Sequence, residues 1–349
     1  MALSIYTIDN EKKWDEIVTS VDAYDVFFLS GYVKAFMLEN PANGIPLLFV
    51  YEDNIDKAIN VVFKRDISKT IGFEDIAENT LFDLISPYGY GGFIGSVTNY
   101  DNLNKEYTSY CLNNGIICEF VRFNLFGEYY KNYPGVVKSN THNVVRSLDM
   151  SDDEMWMDFK PKVRKNVKRA IQNNLEIIVD DTGEYLDDFL RIYYGTMERS
   201  NAEKHFFFSK GFFKTINSMT GHFVYFHIKH NEEIISTELV IIGSNNCYSY
   251  LGGTNHQYFD LRPNDLLKYE IIKWANKKGL NNFVLGGGYG ADDGIFQYKV
   301  CLAPHGVVDF HIGKRIFDID KYDYLCKKRN IESHSLSPDE IVFFPEYRQ

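Results

Sequence analysis

Two segments gather residues whose types and spacing could do chemistry. The first is a basic run, Lys160, Lys162, Arg164, Lys165, Lys168 and Arg169, set around Pro161. At this density, guanidinium and ammonium groups suit a phosphate or pyrophosphate. Arg164 and Lys168 stand four residues apart and share one helical face. The competing reading is a solvated helix face, partnered by the acidic run Asp149, Asp152, Asp153, Glu154 and Asp158. The second segment opens on the turn Gly286-Gly287-Gly288 and continues through Asp292-Asp293-Gly294-Ile295-Phe296-Gln297-Tyr298-Lys299. It sets two carboxylates and a lysine close behind a flexible turn. A third stretch, Pro87-Tyr88-Gly89-Tyr90-Gly91-Gly92, alternates aromatic rings with residues that let another group approach the backbone.

Other chemistries are excluded by pattern. His222, His227 and His230 have no carboxylate or cysteine at ligand spacing, so no metal site is expected. No G-x-S-x-G elbow and no G-x-x-x-x-G-K-[ST] loop occurs. The glycines at 286–290 follow a strand but do not open a helix, which argues against a dinucleotide loop.

The elements that must position these residues are legible in the periodicity. Cys247–Leu251 reads as a strand, 252–263 as a loop, Asn264–Lys278 as a helix and Asn282–Leu285 as a strand. Within the helix, Leu267, Ile271, Trp274 and Ala275 fall on one face. Its N-terminus, after Arg262-Pro263, can hold an anion or polarise a carbonyl. His222–Lys229, Glu233–Ile242 and Cys247–Leu251 form an antiparallel run. Ser151-x-x-Glu154 is a capping box, Pro161 starts a helix that ends near Asn173-Asn174, and 183–200 is an amphipathic helix. In the first half, Ser4–Ile8, Pro46–Glu52, Lys57–Lys64, Ile117–Asn124 and Asn140–Leu148 read as strands. Asn102–Asn114 reads as a helix, and so does Gly31–Leu38, with Ser30 as its N-cap. The halves share a rough plan, with a hinge near Asp149–Ser151.

The 349 residues are enough for two domains, and 45% hydrophobic content supports substantial cores. A net charge of −11 argues against broad phosphate binding but not against a local basic site. Five scattered cysteines, no basic leader and no long apolar run predict a cytoplasmic protein with reduced thiols and no stable membrane insertion.

Four stretches of the second half resemble the FemABX aminoacyl transferases and their GNAT relatives. Lys162-Val163-Arg164-Lys165-Asn166-Val167-Lys168-Arg169-Ala170 looks like that family's R-x-N-[IV]-[RK]-x-A helix. Tyr248-Ser249-Tyr250-Leu251-Gly252-Gly253 is similar to its central strand, and Pro263-Asn264-Asp265-Leu266-Leu267 to the start of its following helix. Asp293–Lys299 is similar to its closing D-G-[IL]-x-x-F-K segment, with Tyr298 in place of Phe. Pro87–Gly92 resembles a motif of FemAB-like proteins.

The resemblance implies an α+β fold of two tandem GNAT-like domains, each a mixed, mostly antiparallel sheet flanked by helices. The expected domains are 1–150 and 151–349, with the last ~30 residues returning to the first domain and an acceptor cleft between the two. It implies an acyl- or aminoacyl-transferase that forms an amide on an amino group of a peptidoglycan precursor or surface-polysaccharide amino sugar. Acyl-CoA or aminoacyl-tRNA is the donor, and a nucleotide- or lipid-linked sugar is the acceptor. Lys299 is the candidate for electrostatic help at the oxyanion or at an acceptor phosphate. Asp292, Asp293 and Glu238 are the candidates for general base. Arg164 and Lys168 would hold an acceptor phosphate, Tyr88 and Tyr90 would stack on its sugar or nucleotide, and Tyr250 and Asn264 would bind substrate. Three departures bear on this. Phe93 follows Pro87–Gly92 where some members lead to an aspartate, the coiled-coil arm of some tRNA-using members is absent, and 252–263 lacks the CoA-binding Q/R-x-x-G-x-G/A pattern. A noncatalytic module that binds a sugar nucleotide or a protein partner is the alternative from another class.

Overall fold

The computed structural model describes residues 2–288 and 293–349. Asp292, one of the three base candidates, lies outside the described residues. The strands in chain order are β1 (Leu3–Thr7), β2 (Ile45–Glu52), β3 (Lys57–Asp66), β4 (Phe82–Ile85), β5 (Ile94–Ser96), β6 (Ile116–Arg122), β7 (Val136–Ser147), β8 (Glu176–Asp180), β9 (Phe223–His230), β10 (Glu233–Ile242), β11 (Asn246–Thr254), β12 (Asn282–Gly286) and β13 (Val307–Ile316). The helices are α1 (Glu11–Thr19), α2 (Ser30–Glu39), α3 (Tyr100–Asn113), α4 (Asp152–Asp158), α5 (Pro161–Gln172), α6 (Leu186–Arg199), α7 (Lys210–Ile216), α8 (Pro263–Lys277), α9 (Gly294–Leu302) and α10 (Ile319–Lys328).

The chain divides into unit 1, Met1–Asn140 with Asp309–Gln349, and unit 2, Thr141–Val308. The divisions fall at 140/141 and 308/309 rather than at 150/151. In unit 1, β1·β2, β2·β3 and β3·β4 pair antiparallel, β4·β6 parallel and β6·β13 antiparallel. In unit 2, β8·β9, β9·β10 and β10·β11 pair antiparallel, β11·β12 parallel and β12·β7 antiparallel. The succession is the same in both, so the chain holds two GNAT-like units of one design. Each parallel pair needs a crossover, and a helix supplies it: α3 in unit 1 and α8 in unit 2. The closing strand of unit 1, β13, follows β12 in the chain, and that of unit 2, β7, follows β6. Hairpin patterning cannot foresee that exchange, which is why the sequence-based boundary is displaced.

Apolar stripes fix the helices to these sheets. In unit 2, Val163, Val167 and Ala170 of α5 and Leu267, Ile271 and Ala275 of α8 are buried together with Phe226 and Val240 of the sheet. Unit 1 has one core around Phe49, Tyr107 and Phe123 and a second around Cys118, Tyr322 and Tyr347. The capping box at Ser151 and Glu154 is present at the start of α4. Ser30 is not a cap. It is the first residue of α2, Leu29 takes the N-cap position, and the Ser30 hydroxyl donates to Asp15 Oδ2 at 2.7 Å. The Ser30 amide also donates to Asp15 Oδ1 at 2.8 Å, so a carboxylate from α1 takes up an amide of the first turn of α2.

Candidate active site

In unit 2 a cavity of about 400 Å³ opens between β10, β11, α8 and α9. Its polar groups are brought in by simple periodicities. Asn264 and Lys268 stand one helical turn apart on α8, and Ile295, Tyr298 and Lys299 share one face of α9. Glu238 comes from β10, and Ser249 and Tyr250 come from β11. Gly253 on the same strand is required by packing, because a Cβ there would lie 2.2 Å from Thr196 Oγ1 of α6.

The floor of the cavity is a charge cluster. Lys268 Nζ lies 2.6 Å from Glu238 and donates to Ser249 Oγ at 2.6 Å. Glu238 and Lys268 are only 4% and 7% exposed, so neither charge is stable here without the other. Lys299 Nζ donates to the Gly287 carbonyl at 2.5 Å. Burial, and then the positive charge of Lys268, push the Lys299 ammonium down to about 8, while Glu238 and Asp293 pull it upward. The Tyr298 hydroxyl is buried beside the Asn264 side chain and far above its ordinary ionisation range, with burial the main cause. The site is thus a partly desolvated pocket with a buried internal ion pair and one lysine poised to gain or lose its proton near neutral pH.

At the head of α8, Asp265 occupies the third helical position and is 7% exposed. Asn166 Nδ2 of α5 donates to its Oδ2 at 3.3 Å, and its Oδ1 has no hydrogen bond among the described residues. Burial raises its carboxyl to about 6 against the pull of Asn166, Arg262 and Lys162.

The described residues expected from sequence separate into four groups. Lys299, Glu238, Tyr250 and Asn264 line the cavity. Asp293 is the N-cap of α9 and accepts from the Phe296 amide at 2.6 Å, so a helix terminus already uses its oxygen. Arg164 donates to the carbonyl of Met157 at 2.8 Å and to that of Phe159, closing the C-terminus of α4, while the exposed Lys168 lies over the Trp156 ring at 5.9 Å. Neither lines the cavity. Tyr88 and Tyr90 belong to unit 1. Tyr88 is 44% exposed, whereas Tyr90 is 8% exposed with its ring set edge-on against Phe27 and Phe310. The face of Tyr90 that would stack on a ligand is already covered. Lys268, Ser249 and Asp265 were missed. The available signal for Lys268 was a lysine on a helix face otherwise occupied by Leu267, Ile271 and Ile272.

Among the described residues no group of His, Cys, Asp and Glu could hold a metal ion, and no helix is long and apolar enough to cross a membrane.

Residues 161–300, which include every residue of this cavity, match the family model for the acetyltransferase (GNAT) domain. No curated protein sequence matches the chain. The crystal structure of FemX is similar with a TM-score of 0.69 at 14% identity, over 92% of this chain and 99% of that one. A conserved protein of unknown function from Bacteroides thetaiotaomicron VPI-5482 is similar with a TM-score of 0.57 at 9% identity, over 89% of this chain and 98% of that one. In fold, then, the chain is similar to FemX, and residues 161–300 match the GNAT acetyltransferase model.

Proposed function

We propose that unit 2 is an N-acyltransferase and that the cavity above Glu238 and Lys268 receives the activated acyl group. The observation that carries this reading is Lys299, a lysine held at the cavity wall with its ammonium lowered to about 8. An acceptor amine attacks the acyl carbonyl carbon, the carbonyl oxygen becomes an oxyanion, and the bond to the carrier breaks as the amide forms. The Lys299 ammonium balances the oxyanion charge. The proton lost by the amine leaves with the carrier or with water. Glu238 is not the base in this scheme, because Lys268 engages its carboxylate at 2.6 Å.

The acceptor we assign is an amine on a nucleotide- or lipid-linked cell-wall precursor or surface-polysaccharide amino sugar, by resemblance. For the donor, two observations favour an aminoacyl ester of tRNA over a CoA thioester. The segment 252–263 lacks the CoA-loop pattern, and Asp265 sets the chain's own carboxylate at the positive end of α8, where an incoming pyrophosphate would meet it.

The test is donor consumption. The purified protein is supplied with aminoacyl-tRNA or acyl-CoA and an amino-sugar acceptor, and free carrier and amide product are followed by mass spectrometry. Release of the carrier with stoichiometric amide supports the reading. Saturable ligand binding with no carrier released would identify a binding module instead.

A further inference from the structure

The floor of the unit 2 cavity holds more polar chemistry than stabilising an oxyanion requires. β10 and β11 pair Leu239 with Leu251 and Val240 with Ser249, so Tyr250 is an extra residue in β11. Such a bulge re-aims the side chains beside it. Ser249 is thereby opposite Val240, on the face that Val240 shares with Glu238 two residues earlier. Val240 is buried with Leu267 and Ile271, which marks this as the face covered by α8. Gly252 lets β11 lie close to Glu238: a Cβ there would be 2.5 Å from the Thr237 carbonyl oxygen and 3.3 Å from Glu238 Cβ.

Lys268 reaches this face from α8. Its Nζ lies 2.6 Å from each oxygen of Glu238 and donates to Ser249 Oγ at 2.6 Å. The buried carboxylate keeps Lys268 as an ammonium, so it gives a proton to the serine oxygen and cannot take one from it. Ser249 is therefore not an activated nucleophile, which would need a neutral base at that place. The arrangement acts in the opposite sense: a hydroxyl that accepts from an ammonium is a better acid, because the positive charge stabilises the oxygen left behind. Among the described residues the Ser249 hydroxyl proton has no acceptor, and Ser249 lines the cavity.

We propose that Ser249, backed by Lys268, is the general acid that protonates the departing carrier oxygen during transfer. This rests on the acyltransferase reading of unit 2. As the bond from the acyl carbon to the carrier oxygen breaks, that oxygen takes the proton of Ser249, and Ser249 takes one from Lys268. The acceptor amine loses a proton as the amide forms, and that proton, passed through cavity solvent, restores the Lys268 ammonium. The sum is one proton moved from amine to carrier, with no net change in the charge of the protein. Lys299 and Ser249 divide the work, the first at the carbonyl oxygen and the second at the leaving oxygen.

A dependence on the leaving group follows. A ribose hydroxyl, the leaving group of an aminoacyl-tRNA ester, is a weak acid and departs poorly as an alkoxide. The thiol of CoA is a stronger acid and departs more readily as a thiolate. Help from a general acid is large for the first and small for the second.

The experiment is steady-state transfer by the full chain to glucosamine, from alanyl-tRNA and from alanyl-CoA, with free carrier and amide followed by mass spectrometry. For the ester, Ser249→Ala is expected to lower kcat about 100-fold with KM unchanged. Ser249→Thr keeps the hydroxyl and is expected to stay within about tenfold of the wild type. For the thioester, Ser249→Ala is expected to lose less than about tenfold, whereas a merely structural role would slow both donors alike. An equal loss with both donors, no loss with the ester, a Ser249→Thr variant as slow as Ser249→Ala, or turnover of the thioester alone would overturn the relay and leave the transferase reading in place. So would a gain of one alanyl mass by the wild type with donor alone that Ser249→Ala lacks, since Ser249 would then be a nucleophile. No carrier released by the wild type from either donor would overturn the transferase reading itself, and the relay with it.

Discussion

Lys299 and Lys268 do different work, although both are lysines at one cavity. Lys268 is half of a buried ion pair, while among the described residues Lys299 donates to a carbonyl. Lys299→Ala is expected to lower the transfer rate about 100-fold, roughly 3 kcal/mol of oxyanion stabilisation, with little change in substrate binding. Steady-state kinetics check this. The sign of the pH dependence follows from Lys299 being needed as an ammonium: the rate should fall as pH rises through about 8. Glu238 holds that value up and Lys268 holds it down. Accordingly, Glu238→Gln should move the alkaline limb to lower pH and Lys268→Met should move it to higher pH. A purely structural role for the pair would change the rate without moving the limb.

At the level of elements, two buried groups make opposite predictions. Asp265 at the head of α8 is raised to about 6 by burial, so the folded chain binds its proton more readily than the unfolded chain does. Its ionised form weakens the fold at neutral pH, and that weakness is relieved as pH falls through about 6. Asp265→Asn should stabilise unit 2 at neutral pH by as much as about 3 kcal/mol, with the gain disappearing near pH 4. Denaturant melts across pH test this. Arg146 of β7 is 2% exposed, pairs with Asp158 of α4 and donates to the Leu302 carbonyl at the end of α9 at 3.3 Å. Asp158→Asn leaves that guanidinium buried without its counter-charge. A loss of about 3–5 kcal/mol is expected, visible as a fall in the urea midpoint.

For the whole molecule, the chain's last residues are part of the first unit. Tyr347 and Arg348 reach Asp83, and Tyr322 of α10 donates to Glu346 at 3.4 Å. Asp83 is held below the ordinary carboxylate range by Arg65 and Arg348 against the opposing effect of burial. The stability it supplies is therefore present above the unfolded carboxylate value and is lost as pH falls through its lowered folded value. Asp83→Asn should cost about 3–5 kcal/mol near neutrality, and the difference from wild type should shrink in acid. Removing Glu346–Gln349 should act in the same direction, read by thermal melting.

Much of this was legible in the residues alone. The apolar period of 3.6 in α6 and α8, the antiparallel run β9–β11 and the capping box at Ser151 depend on local spacing, so one strand of sequence contains them. The closing motif singled out Lys299. What spacing could not show is which polar groups meet. Glu238 and Lys268 lie thirty residues apart, and only the docking of α8 on β10 turns them into a buried pair. Arg164 read as an anion ligand because guanidinium chemistry is general. Its turn beside the end of α4 spends it on two carbonyls. Likewise Asp83, Arg65 and Arg348 become one charge centre only when the C-terminus lies on the first unit's sheet. Sequence determines the elements because their stabilising contacts are near in the chain. Tertiary structure decides the site because charge, burial and proton affinity depend on neighbours that are near only in space.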